Sequence, residues 1–204
     1  MKKLIISLVL TTILNACQVG ENQMEMTFNL DRDQEILITI GLAGIGEASI
    51  NWGDGTKPEN ALLSSYDEDE WINNKPNKYL YSHYYNRPSL YTITINGENV
   101  TFLNCNHNQL INIDISKNRR LIHLESRKNN LTKLNARKNK RLEILDVSDN
   151  LFTNSALNSL FRTLPDNRKI KLIVIDGNPG TATCNFLIAT DKNWLNGALL
   201  PLFF

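Results

Sequence analysis

The stretch "LESRKNNLTKLNARKNKRLEILDVSDN", residues 124–150, decides how the rest of the chain is read. An asparagine returns at Asn129, Asn139 and Asn150, each time after the same apolar pattern. Extended in both directions, the register takes in Asn108, Asn118 and Asn178. Eight places before the asparagines stand Val100, Leu110, Leu121, Leu131, Leu142 and Ile170. Five places before stand Leu103, Ile113, Leu124, Leu134, Leu145 and Ile173. Three places before come Cys105, Ile115, Ser126, Ala136, Val147 and Ile175. Repetition at this period means stacked units that each contact their neighbours. One unit cannot fold alone. Ordering about 21 residues costs about 30 kcal/mol, and six buried side chains at about 2 kcal/mol each recover under half of that.

The spacing assigns each position a task. The alternating apolar pair forms a short strand with both side chains inward, and the asparagine follows where the chain turns. Its short amide bonds backbone groups of the turn that are otherwise buried unpaired. The pattern resembles the nested 21-residue bacterial leucine-rich repeat, LxxLxCxxNxLxxLDLxxNxx. "VTFLNCNHNQLINIDISKNRR" follows it almost position for position. "LIHLESRKNNLTKLNARKNKR" follows it with Ser126 in the cysteine slot and Asn135-Ala136 in place of the aspartate and its apolar neighbour. The resemblance covers residues 100 to about 190 and implies a solenoid. It does not name a ligand, because such scaffolds carry many.

After Asn150 the pattern breaks. "LFTNSALNSLFRTLPDNRK" reads as a helix capped by Ser155, with Leu157, Leu160, Phe161 and Leu164 on one face and Pro165 ending it. "TATCNFLIATDKNWLN" reads as a second helix closing the open end. The last residues, "GALLPLFF", are more apolar than a solvated tail; they either pack on the cap or mark a departure at the end of the gene.

Residues 24–99 carry strand signals: "EMTFNL", "EILITI", "ASINW", "KYLYSHYY" and "SLYTITI". Ile36, Ile38 and Ile40 alternate, as do Tyr91, Ile93 and Ile95. Turn-rich spacers between them predict a small antiparallel β-sandwich. "INWGDGT", "YSHYY" and "YTITI" resemble the polycystic-kidney-disease-type (PKD-like) domain, a resemblance that implies an extracellular spacer or binding module without catalysis. The expected fold is therefore mainly β: a PKD-like sandwich followed by a leucine-rich-repeat solenoid with one or two short C-terminal helices. The sandwich is expected to cover the N-terminal edge of the solenoid and block edge-to-edge pairing.

The N-terminus adds an address. "MKK" and the apolar "LIISLVLTTIL" fit an export signal over residues 1–16 and are too short for a mature bilayer span. "LNAC" resembles the lipobox of bacterial lipoproteins, which implies acylation of Cys17; an ordinary signal peptide with a chance cysteine is the plainer alternative. Multiple acyl chains on one residue give stable attachment. Residues 17–23 then form a tether, 24–99 the sandwich, 100–194 the repeats with their cap, and 195–204 the apolar tail. The expected location is the cell envelope, at the outer membrane and exposed at its surface; the resemblance to the bacterial repeat family implies a Bacteroides-like bacterium.

Two cysteines remain beyond Cys17. Cys105 and Cys184 lie three strand spacings apart by register, about 14 Å, whereas a disulfide needs Cα atoms within about 7 Å. Both are expected to be buried free thiols.

Candidate chemistry is sparse. Asp54 between two glycines reads as a tight turn before it reads as a calcium ligand. The run Asp67 to Glu70 has no spaced oxygen ligands and reads as a solvated loop. His83 reads as structural. His107 and His123 fall at solvent-facing repeat positions with no evident acid or nucleophile beside them. No phosphate loop, zinc spacing or serine elbow occurs, so the expectation is a non-enzymatic protein without cofactor or metal.

Charge is the informative feature. The chain's net charge is only +1. From Cys17 to Glu70 there are twelve acidic and two basic residues, and from Trp71 to Arg141 thirteen basic and three acidic. Ten cations crowd into residues 117–141, with Glu125 the single acid. Repetition is expected to align Lys117, Arg127, Lys128, Lys133, Arg137 and Lys138 into a basic ladder that raises the local potential. The plainer view is a solvated face. The sharper one is a site for an anionic glycan, lipopolysaccharide phosphate or acidic protein, with nucleic acid disfavoured by the export signal. A structural envelope spacer is the alternative function.

Overall fold

The computed structural model describes residues 19–67, 80–166 and 169–197. The signal segment, Cys17, Glu68 to Glu70 of the acidic run and the tail beyond Gly197 lie outside the described residues. The chain is mainly β. Its first half forms β1 (Val19–Leu30), β2 (Ile36–Gly44), β3 (Gly46–Asn51), β4 (Glu59–Leu63), β5 (Leu80–Tyr85) and β6 (Ser89–Asn96). The second forms β7 (Val100–Asn104), β8 (Asn112–Asp114), β9 (His123–Glu125), β10 (Ile144–Asp146), helix α1 (Asn154–Thr163), β11 (Lys171–Val174), helix α2 (Leu187–Thr190) and β12 (Trp194–Asn196).

Two sheets run through both halves. One has the order β4-β3-β6-β1-β8 and the other β12-β11-β10-β9-β7-β2-β5. Alternation explains the first half: Met24, Met26 and Phe28 of β1, Ile38 and Ile40 of β2, and Ile93 and Ile95 of β6 are all fully buried. The sheets meet through these side chains. Phe28 packs edge-on against Tyr85 with ring centroids 4.9 Å apart and stacks on Tyr91 at 5.4 Å.

The second half advances by return. Phe102 of β7 pairs with His123, and His123 with Ile144, each step 21 residues along the chain and parallel. The longer step from β10 to β11, Leu145 to Ile173, accommodates α1. The asparagines sit at the turns and are buried, from fully at Asn118 and Asn139 to 7% exposed at Asn178. Asn150 Nδ2 donates to the carbonyls of Ser126, Val147 and Ser148, and its Oδ1 accepts from Leu131 N. Two residues in the slot three places before an asparagine also reach the next unit. Cys105 Sγ donates to Glu125 O, and Ser126 Oγ to Asp146 O. That shared geometry explains why a serine substitutes for a cysteine there.

The halves are joined by strand pairing. β2 takes the free edge of β7 in antiparallel register, and β1 takes that of β8. Asn108, at the first turn of the repeat, bonds both backbone groups of Thr39. At the join the register shifts between Ala43 and Gly44. A Cβ at Gly44 would run into the Asn99 carbonyl, so glycine permits the close approach.

Five expectations change. β1 begins at Val19, within the 17–23 tether, because Asn22 and Gln23 already bond Lys117 and Asn96. Helix α1 is capped by Thr153 rather than Ser155: Thr153 Oγ1 accepts from Ala156 N. The second helix shrinks to Leu187–Thr190, and residues 194–196 instead extend the parallel sheet, across the expected boundary at 194. Ile170 is 70% exposed, and Lys171 takes the inward place. Its Nζ donates to Pro165 O and Lys192 O and lies 5.3 Å from the Trp194 ring centre. Cys105 and Cys184 are both free, but Cys184 is half-buried rather than buried.

Candidate anion-binding face

Six basic residues were expected to form one ladder, and the structure divides them. Successive asparagines lie at opposite turns of the stack, since 10 or 11 residues make half a unit. Asn108, Asn129, Asn150 and Asn178 form one column, each linked to the next unit's turn. Asn118 and Asn139 form another, with Asn139 Nδ2 donating to Asn118 O at 2.6 Å. Arg127 and Lys128 follow β9, on the side of the seven-stranded sheet. Lys117 follows β8, on the side of the five-stranded sheet, and Lys133, Arg137 and Lys138 stand one unit later on that same side.

The two sides differ in charge. Beside β9 one of the two cations is paired: Arg127 Nε lies 2.9 Å from Asp149 Oδ2. Glu125, Glu143 and Asp146 share that side, and burial pushes the Asp146 carboxyl up despite hydrogen bonds from Ser148. On the β8 side, Lys117 stacks one unit from Lys138, Arg119 from Lys140, and Arg120 from Arg141. Lys133 and Arg137 complete eight exposed cations. Among the described residues none of the eight has an ion pair within 4.0 Å. Lys117 has a side-chain hydrogen bond, Nζ to Gln23 Oε1 at 3.2 Å. Asp114 and Glu25 border the face, paired across β1 and β8.

Stacked units lie about 5 Å apart, and like charges at that distance repel by about 1 kcal/mol even in water. Flexible stems relieve part of this by splaying. Bound anions relieve more of it. The field reaches Lys192 as well, whose ammonium is pushed down by burial; Asp166 opposes this, and Lys140 and Arg137 add to it. Arg119, Arg120 and Arg141 line an open recess of about 520 Å³ with Asn22 and Glu98. Guanidinium groups present planar forks suited to phosphate or carboxylate.

The other residues singled out in the sequence lie apart from this face. Asp54 does form a turn: its Oδ1 accepts from the Thr56 amide and hydroxyl, and its Oδ2 lies 2.7 Å from His83 Nε2. Desolvation raises its pKa, but those hydrogen bonds outweigh it and hold the carboxyl at about 2. His83 stacks on Trp52 at 5.1 Å. His107 is exposed, with a left-handed backbone. Among the described residues no cluster of three His, Cys, Asp or Glu side chains is placed to hold a metal ion.

His123 departs from expectation. It is largely buried, and Glu125 Oε1 lies 3.1 Å from its Nε2. Alternation puts residues 123 and 125 on the same face of β9, a signal present in the sequence. His123 lies edge-on to Phe102, on which Tyr66 stacks at 4.3 Å. With Ile45, Ile122 and Ile144 they line an apolar recess of about 490 Å³. Tyr66 reaches it from far along the chain, so no local pattern announces it.

No family model, curated protein or solved structure matches the chain. No helix among the described residues is long and apolar enough to cross a membrane.

Proposed function

We propose that this chain is a non-enzymatic lipoprotein of the cell envelope that binds an anionic partner through one face of its repeats. In this reading the first half is a PKD-like sandwich and the second a leucine-rich-repeat solenoid. The 21-residue return of parallel strands and the buried asparagine columns support the second assignment, and the WGDG turn held by His83 supports the first. The lipobox at Cys17 supports attachment to the outer membrane.

One observation carries the binding reading: eight exposed cations share the β8 side without an ion-pair partner among the described residues. A solvated face of mixed charge is the ordinary arrangement, and the β9 side has it. The partner class is an anionic glycan, an acidic protein or envelope phosphate. Arg127 and Lys128 leave the proposed site; Lys117, Lys133, Arg137 and Lys138 stay and are joined by Arg119, Arg120, Lys140 and Arg141.

Fluorescence anisotropy with a labelled sulfated oligosaccharide and with its uncharged counterpart tests this. The charged probe alone binds, and binding weakens between about 0.05 and 0.5 M salt as the Debye length contracts from about 14 to about 4 Å. Equal behaviour of both probes, or no binding at low salt, returns the face to solvent and leaves an envelope spacer.

A further inference from the structure

The cationic face and the start of the chain occupy the same place. Asn22 N donates to Lys117 O at 3.2 Å, and Lys117 Nζ reaches the neighbouring Gln23. Asn22 also lines the recess of Arg119, Arg120 and Arg141. Cys17 precedes Asn22 by five residues, which span at most about 18 Å when fully extended. Acyl chains on Cys17 therefore enter a bilayer close to this recess. Attachment at a distant point would leave the face free to turn in any direction; attachment here does not.

Resting on the anion-binding and lipoprotein readings above, we propose that the cationic face lies against the membrane that holds Cys17, and that the Arg119, Arg120 and Arg141 recess takes the phosphate of a lipid headgroup. Stable membrane attachment commonly combines acyl chains with a basic surface. Each cation near an anionic leaflet adds about fivefold to partitioning. Arginine forks bind phosphate in two-point contact, which a lysine cannot reproduce. Glu98 also borders the recess, without an ion pair among the described residues, so the recess holds three cations against one carboxylate. The consequence for orientation is specific. The five-stranded sheet at β8 turns to the lipid, and the outer surface of the seven-stranded sheet, with the Tyr66 and Phe102 recess, turns away.

The test uses the acylated full chain reconstituted in vesicles of phosphatidylcholine alone or mixed with phosphatidylglycerol. Lysines are labelled with an amine-reactive reagent and read by mass spectrometry. On anionic vesicles, labelling of Lys117, Lys138 and Lys140 falls at least about fivefold and recovers in high salt. Lys128 and Lys169, on the other side, are labelled equally on both vesicles. The triple variant Arg119→Ala, Arg120→Ala, Arg141→Ala loses the protection at Lys117. Uniform labelling of all lysines on both vesicles overturns the proposal. Protection by a soluble sulfated polysaccharide but not by anionic vesicles overturns it too, while leaving the anion-binding reading intact. No protection by either removes both. A chain that washes off neutral vesicles lacks the anchor, and the proposal falls with it.

Discussion

Asn129 Oδ1 accepts the backbone N–H of Asn108 at 3.1 Å, across 21 residues of chain, and also that of Leu110 at 2.9 Å. Its Nδ2 donates to the carbonyls of Cys105 and Ser126, so one amide closes its own turn and the turn before it. Asn139 does less. Its Nδ2 donates to Ile115 O and Asn118 O, but its Oδ1 is buried with no partner among the described residues. Each buried group left unpaired costs about 1–3 kcal/mol. Asn129→Ala is therefore expected to destabilise by about 3–5 kcal/mol and Asn139→Ala by about 1–3 kcal/mol. Equal losses in urea melts would show that the two columns do not differ in this way.

The inward leucines test the register itself. Leu124 is fully buried and Leu134 is 7% exposed, while Lys133 is exposed. Leu124→Ala and Leu134→Ala are each expected to cost about 2–5 kcal/mol through the cavity left between units. Lys133→Ala stays within about 0.5 kcal/mol. Denaturant midpoints at constant m distinguish the outcomes.

The end of α1 depends on a lysine 28 to 31 residues away. Lys192 Nζ donates to the carbonyls of Phe161, Arg162 and Leu164; Phe161 O also accepts from Leu164 N, and the last carbonyls of a helix otherwise lack intrahelical donors. Hydrogen bonds to a charged donor contribute about 1.5–3 kcal/mol. Lys192→Met is expected to cost an amount in that range and to raise amide exchange first in residues 154–163. Exchange that rises uniformly would contradict a local role.

The WGDG turn carries a pH signature. Asp54 is held at about 2, below its ordinary value of 3.8. A lowered carboxyl pKa contributes stability that is fully present above the unfolded value and is lost as pH falls through the folded one. Wild-type stability is expected to fall between about pH 4 and 2, by less than the roughly 2 kcal/mol that about 1.4 kcal/mol per pKa unit gives, because solvent screens this exposed turn. Asp54→Asn is less stable at neutral pH and flatter over that window. A parallel fall in both proteins would place the acid sensitivity elsewhere.

Much of this architecture is legible because it repeats. The offsets of −5 and −3 from each asparagine name buried positions in every unit from Val100 to Val147, and the alternation of Tyr91, Ile93 and Ile95 names a strand. What is not legible comes from partners far apart in the chain. Ile170 fits the period yet lies outside, because Lys171 is drawn inward by the carbonyls of Pro165 and Lys192. β4 has only Ala61 and Leu63 turned to the core, too few to declare a strand. The basic ladder failed for a different reason. A 10- or 11-residue step is half a unit, so Lys128 and Lys138 share a sequence position but not a side of the molecule. Counting at 21 residues recovers the correct grouping of Lys117 with Lys138.

That grouping is the central claim, and two variants of equal charge test it. Arg137→Gln with Lys138→Gln removes two cations from the β8 side; Arg127→Gln with Lys128→Gln removes two from the β9 side. Both pairs are exposed and leave the core untouched. The measurement is the salt concentration at which each full-length variant elutes from a heparin matrix. The first is expected to elute well before the wild type and the second close to it. Equal shifts for the two variants would show that only net charge matters and would contradict a binding face on the β8 side.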